Sequence, residues 1–327
     1  MNVNNGCHVN DGAEDVEKLK DEIKRLKREK GAVIMAHYYQ KGDIQDLADY
    51  IGDSLALAQI AAKVEAPVIV LCGVHFMGET AKILCPDKKV LIPDMDAGCS
   101  LADSCQAEDF EMFINNNPGH KVVSYVNTSA AVKALTDVVV TSSNARQIVE
   151  SFDKDEKIIF GPDRNLGNYI NSITGRNMLL WDGACHVHEQ FSLERIIELK
   201  KLHTEAKLLV HPECKRPLVM LADKVGSTAA LLKYAVESED KEFIVATESG
   251  IIHQMEKMCP DKVFIAAPPD DSTCGCNDCS FMKLNTLEKL RNCLRDEKPE
   301  IIVDESIAAK ARKPIERMLE LSEKIKN

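Results

Sequence analysis

The sequence predicts an α/β fold of three similar αβα sandwich units with parallel sheets, set around an approximate threefold axis. Two observations carry this. Apolar stretches at residues 33–37, 122–125 and 208–211 end on His37, Tyr125 and His211, and a hydroxyl follows seventeen residues later each time, at Ser54, Ser142 and Thr228. Nineteen residues further on, a second apolar run ends at Gly73, Gly161 and Thr247, and a third then leads to Cys99, to Cys185, and to one of Cys274, Cys276 or Cys279. A repeat of about 88 residues implies three copies of one supersecondary unit. Apolar strands alternating with helix-length segments favour parallel sheets covered by helices on both faces. Threefold placement would bring equivalent residues, including one cysteine from each unit, to the centre.

Composition narrows the class. With 327 residues and 45% hydrophobic content the chain can bury substantial cores. There is no run of about 18 uninterrupted apolar residues and no N-terminal apolar segment behind a basic one, so the sequence reads as cytosolic, with neither membrane nor signal segment. Twelve scattered cysteines in such a chain point to metal ligation or catalysis rather than disulfides. A net charge of -11, without a basic stripe, argues against nucleic acid as a partner. Small molecules are the expected partners.

Taken in order, residues 1–12 are polar and expected to be disordered. Residues 14–30 form a charged helix with Val16, Leu19, Ile23 and Leu26 on one stripe, suited to docking on the first unit or to a short coiled-coil contact. The units follow as 13–112 completed by 296–327, 113–195 and 196–295, each reading strand, helix, strand, helix, strand. Beyond Leu284 come a helix to about Arg295, a short strand at Ile301-Ile302-Val303, and a last helix that packs back on the first unit.

The chemistry lies at the strand ends. Gly52-Asp53-Ser54, Thr141-Ser142-Ser143-Asn144 and Gly226-Ser227-Thr228 each precede a helix pattern, where capping residues and free N–H donors suit an anion. Ligands of open α/β sheets sit at such positions. His37 and His211, followed by Tyr39 and Glu213, are candidates for proton transfer near neutrality. Cys185-His186-Val187-His188 has no second cysteine at zinc-finger spacing. The cluster Cys274-Gly275-Cys276-Asn277-Asp278-Cys279 suggests a metal or a redox pair. Three thiolates on a threefold axis would leave one position open, which for an iron–sulfur cluster means one iron free for substrate.

The strings Ala36-His37-Tyr38-Tyr39-Gln40, Gly52-Asp53-Ser54-Leu55, Tyr125-Val126-Asn127, Thr141-Ser142-Ser143-Asn144-Ala145, Gly161-Pro162-Asp163-Arg164-Asn165-Leu166-Gly167, Val210-His211-Pro212-Glu213-Cys214 and Gly226-Ser227-Thr228 together resemble the quinolinate synthase family, from about residue 18 to the C-terminus. The resemblance implies three α/β domains around a 4Fe-4S cluster. It also implies condensation of iminoaspartate with dihydroxyacetone phosphate to quinolinate in NAD biosynthesis; a transient contact with the enzyme supplying iminoaspartate stays open, since the sequence does not decide it. Cluster ligands fall on Cys99, Cys185 and Cys279. The substrate pocket falls on His37, Tyr39, Ser54, Tyr125, Asn127, Ser142, His211, Glu213 and Thr228, with His37, Tyr39, Tyr125, His211 and Glu213 in proton transfer. Repeat spacing favours Cys274 or Cys276 as third ligand, whereas the flanking Ser280-Phe281-Met282-Lys283-Leu284-Asn285 favours Cys279. The spacing of Cys276 and Cys279 also permits a disulfide that would withdraw a ligand on oxidation. A catalytically silent iron–sulfur sensor or scaffold would have no use for His37, Tyr39, Asn127 and Glu213 together. A zinc-dependent lyase would share the pocket but not the cluster.

Overall fold

Three strand runs bury every residue: Val68–Cys72 in the first unit, and Val138–Val140 and Ile158–Gly161 in the second. Such strands need cover on both faces, and parallel pairing supplies it. In the computed structural model, which describes residues 11–270 and 277–326, all strand pairs within the sheets are parallel. The strands are β1 (Ala32–His37), β2 (Tyr50–Gly52), β3 (Val68–Cys72), β4 (Lys89–Leu91), β5 (Lys121–Tyr125), β6 (Val138–Val140), β7 (Ile158–Gly161), β8 (Leu179–Leu180), β9 (Lys207–Val210), β10 (Lys224–Val225), β11 (Glu242–Ala246) and β12 (Val263–Ala266). They form three four-stranded sheets of one topology, β2-β1-β3-β4, β6-β5-β7-β8 and β10-β9-β11-β12.

Side-chain alternation sends each sheet into two cores. On β1, Met35 enters one core and Ile34 and Ala36 the other. On β5, Val123 and Val122 divide likewise, and on β9 Leu208 and Val210 oppose Leu209. One core is shared by the first and second sheets, uniting Ile69 and Leu71 with Val138, Val139 and Val140. The third sheet has its own two cores.

Four findings differ from the sequence expectation. Each unit has four strands rather than three, because β2, β6 and β10 are edge strands of two or three residues, too short to show a period. Residues 301–303 are not a strand; only Glu300 bridges Leu91, antiparallel, at the β4 edge. The first helix spans Asp11–Glu29, so the expected disordered tail lies, up to residue 10, outside the described residues. The helix Leu287–Asp296 packs on that first helix, but the last one, Glu305–Lys326, lies against His75–Leu84 of the first unit and against Ala130–Lys133 and β6 of the second. Among the described residues no helix is long and apolar enough to cross a membrane.

Candidate active site and metal centre

The C-terminal ends of β1, β5 and β9 deliver His37, Tyr125 and His211 to one cavity. All twelve residues singled out from the sequence line it: the nine pocket residues and Cys99, Cys185 and Cys279. Cys274 and Cys276, with the disulfide proposed for Cys276, lie outside the described residues. No Lys or Arg lines the cavity among the described residues, while Asp53, Glu213 and Glu248 do. An anionic ligand there would depend on neutral donors and on a metal.

The three cysteines share a local design. Cys99 and Cys185 are the N-cap residues of Ser100–Asp103 and His186–Glu189, and Cys279 precedes the 3-10 helix Met282–Leu284. Burial raises all three thiols, Cys99 to about 12, and backbone N–H groups just downstream act against it: Leu101 and Ala102 at Cys99, His188 at Cys185, Phe281 and Met282 at Cys279. N–H donors aimed at sulfur favour the thiolate, the form that binds metal. None of the three is in a disulfide. One thiol from each unit, dry surroundings and N–H donors to sulfur fit a cluster held by three corners.

The two histidines are fixed alike. The Tyr39 amide donates to His37 Nδ1 at 3.2 Å and the Glu213 amide donates to His211 Nδ1 at 3.3 Å. An Nδ1 that accepts leaves the ring proton on Nε2, which at His211 lies 3.2 Å from Ser142 Oγ. Burial pushes both rings down to about 3. Burial thus favours the neutral form of both rings, and with Nδ1 accepting, each presents its Nε2–H to the cavity.

A chain of polar contacts joins the tyrosines. Tyr125 donates to Glu213 Oε1 at 2.6 Å, and Glu213 Oε2 lies 3.2 Å from His188 Nδ1. His188 Nε2 lies 3.1 Å from Thr247 Oγ1, which is 2.8 Å from the Tyr39 hydroxyl, itself 2.8 Å from Thr228 Oγ1. Burial acts to raise the Glu213 carboxyl, but His188, His211 and the Tyr125 hydroxyl outweigh it, and the group stays below the usual carboxylate range. Burial holds both tyrosines well above their ordinary value. Asn127 Oδ1 is buried and has no hydrogen-bond partner among the described residues, so it is an acceptor left open to a ligand.

The three capping turns meet as expected, but around a carboxylate. Ser143 Oγ is 2.7 Å from Asp53 Oδ2 and 2.8 Å from Ser227 Oγ. Asp53 and Ser227 cap their own helices at Ala56 and Ala230. Those N–H groups are spent internally, so what the turns offer the cavity is the hydroxyls of Ser54, Ser142 and Thr228.

Sequence reasoning missed Glu248 and Lys283 and passed over His188. Glu248, fully buried, pairs with Lys283 at 2.6 Å and accepts from the Cys279 amide at 3.1 Å and the Gly250 amide at 2.8 Å. Lys283 also donates to the Tyr39 carbonyl at 2.7 Å, tying the Cys279 loop to the first unit. Burial raises the Glu248 carboxyl to about 7 against the pull of Lys283. Only the Ser280-Phe281-Met282-Lys283-Leu284-Asn285 string flagged Lys283, and nothing local marks Glu248. Cys185, His188 and Glu213 hold their ligand atoms within 4.8 Å of one another and could bind a metal ion.

A family model described as "Quinolinate synthetase A protein" matches residues 21–320. A protein of Microcystis aeruginosa named quinolinate synthase is 59% identical over 300 residues, covering 92% of this chain and 94% of its own. Proteins of the same name from Synechococcus sp. and Chloroherpeton thalassium are 56% and 55% identical, covering 92% and 93% of this chain and each 94% of the relative.

Proposed function

The chain belongs to the quinolinate synthetase A family of enzymes, and from that premise we propose that it condenses iminoaspartate with dihydroxyacetone phosphate to quinolinate, with loss of phosphate and water, in the cytoplasmic synthesis of NAD. We assign a 4Fe-4S cluster to Cys99, Cys185 and Cys279. The observation that carries the reading is the convergence of one cysteine per unit on a cavity with N–H donors at each sulfur and, among the described residues, no cationic side chain.

Held by Cys99, Cys185 and Cys279, such a cluster would leave one iron without a protein ligand and would supply Lewis acidity to the cavity. The chain's own groups do the rest. His37 and His211, neutral and protonated on Nε2, donate hydrogen bonds to substrate oxygens, as a desolvated imidazole does where charge must not accumulate. Ser54, Ser142 and Thr228 donate to carboxylate or phosphate oxygens. Asn127 Oδ1, unpartnered, accepts from a substrate O–H or N–H. Glu213 takes a proton through Tyr125, while Tyr39, held by Thr228 and Thr247, gives or takes another. The apolar walls at Val74, Phe76 and Met77 exclude water and strengthen each contact.

The test is an anaerobic assay in which iminoaspartate, generated in place from oxaloacetate and ammonia, is mixed with dihydroxyacetone phosphate and the chain. Formation of quinolinate dependent on both substrates supports the reading. A fully iron-loaded chain that makes none refutes it.

A further inference from the structure

We propose that, without its cluster, the chain carries a mononuclear zinc-type site on Cys185, His188 and Glu213, and that an ion bound there blocks cluster assembly. The three ligand atoms lie within 4.8 Å of one another, on a half-buried cysteine and two buried residues. His188 Nδ1 is 3.2 Å from Glu213 Oε2, yet it makes no hydrogen bond. The ring's other nitrogen faces Thr247 Oγ1 at 3.1 Å. With the ring proton there, the Nδ1 lone pair is turned toward the Glu213 carboxylate in a buried site; either a proton moved to Nδ1 or a metal ion between the two groups relieves that repulsion, and a metal ion recruits the Cys185 thiolate as well.

That is also how metal-bound histidines are held, with the second N–H given to a fixed acceptor. One thiolate, one imidazole and one carboxylate form a three-ligand set that leaves the fourth zinc position open, here toward the cavity. Bonds of about 2.0–2.3 Å place tetrahedral ligands about 3.3–3.8 Å apart; His188 and Glu213 already stand near that spacing, and the remaining distances, within 4.8 Å, shorten by about 1 Å at most. The ion displaces the Cys185 thiol proton into solvent and leaves a neutral site. Because Cys185 serves both occupants, ion and cluster exclude one another. That last step rests on the cluster reading above, whereas the ion site does not.

The full chain, purified in air, stripped of iron by a chelator and checked for its fold by circular dichroism, is titrated with Co²⁺ as a spectroscopic stand-in for Zn²⁺. One cobalt per chain is expected, with the absorption of a tetrahedral site and thiolate-to-cobalt intensity of one thiolate rather than three. Thr247→Val weakens binding about 10- to 100-fold, His188→Ala weakens it further, and His188→Gln stands in should the alanine variant not fold. The Cys99→Ala/Cys279→Ala double variant, which cannot hold a cluster, binds cobalt as the parent does. Zinc added first prevents brown colour on anaerobic reconstitution with iron and sulfide, and a chelator restores it. A multi-thiolate spectrum, or binding lost in the double variant and kept without His188, overturns the proposal. Failure of the zinc-free chain to turn brown refutes the cluster reading instead, and the cobalt result still decides the site.

Discussion

Glu213 receives the Tyr125 hydroxyl at 2.6 Å and sits between two histidine rings, so it is the group best placed to move a proton without holding the cluster. Glu213→Gln should cut turnover about 10²–10⁴-fold with iron content unchanged. Near-normal turnover would remove it from the mechanism. His37 and His211, both pushed down to about 3, are neutral from well below pH 5 upward, so neither should contribute an acid limb to kcat/KM between pH 5 and 8. A limb near pH 6.5 that disappears in His37→Gln or His211→Gln would show a titrating ring. The residues legible in the sequence were those at strand ends or beside them, where His37, Tyr39, His211 and Glu213 announce themselves by position. His188, Glu248 and Lys283 were not legible as a set, because each acquires its role from a partner in another part of the chain, such as Glu248 from Cys279 and Lys283 from Tyr39.

The turn at residues 248–250 shows how elements hold the site together. A Cβ on Gly250 would stand 2.8 Å from Tyr39 C and 2.9 Å from Tyr38 O, both backbone atoms that cannot step aside alone. Gly250→Ala should therefore cost about 1–3 kcal/mol, read as a lower denaturant midpoint, and should lower turnover by moving Tyr39. Unchanged stability would mean that the turn is free to shift. The elements themselves were legible where apolar runs were long: β7 ends on Gly161 where the repeat placed it, and β3 and β11 end one residue before Gly73 and Thr247. The edge strands were hidden by their brevity, and the apolar string at residues 301–303 misled because Ile301 is buried against Gly78 rather than paired in a ladder.

The molecule as a whole is held by cores that cross units and by one helix that straddles two of them. Glu305–Lys326 buries Ala311, Ile315 and Met318 against both the first and second units, and Ser322 accepts from Asn144 at 2.9 Å. Burying two large apolar side chains and the surface beneath them contributes on the order of 5 kcal/mol, comparable to the stability of a domain. Removing residues 305–327 should abolish the single cooperative melt; a shortened chain that melts as the parent does would show the helix to be an accessory. Threefold repetition was legible at this scale, whereas the shared core and the straddling helix were not, since neither leaves a periodic trace. The claim that the three units exist to hold one cluster is tested by iron and sulfide content and visible absorption of the anaerobically purified chain and its cysteine variants. The parent should be brown with about four irons per chain. Cys99→Ala, Cys185→Ala and Cys279→Ala should each be colourless and inactive, with Cys274→Ala and Cys276→Ala brown and active. A colourless parent, or a brown, active chain lacking any one of the first three cysteines, would contradict it.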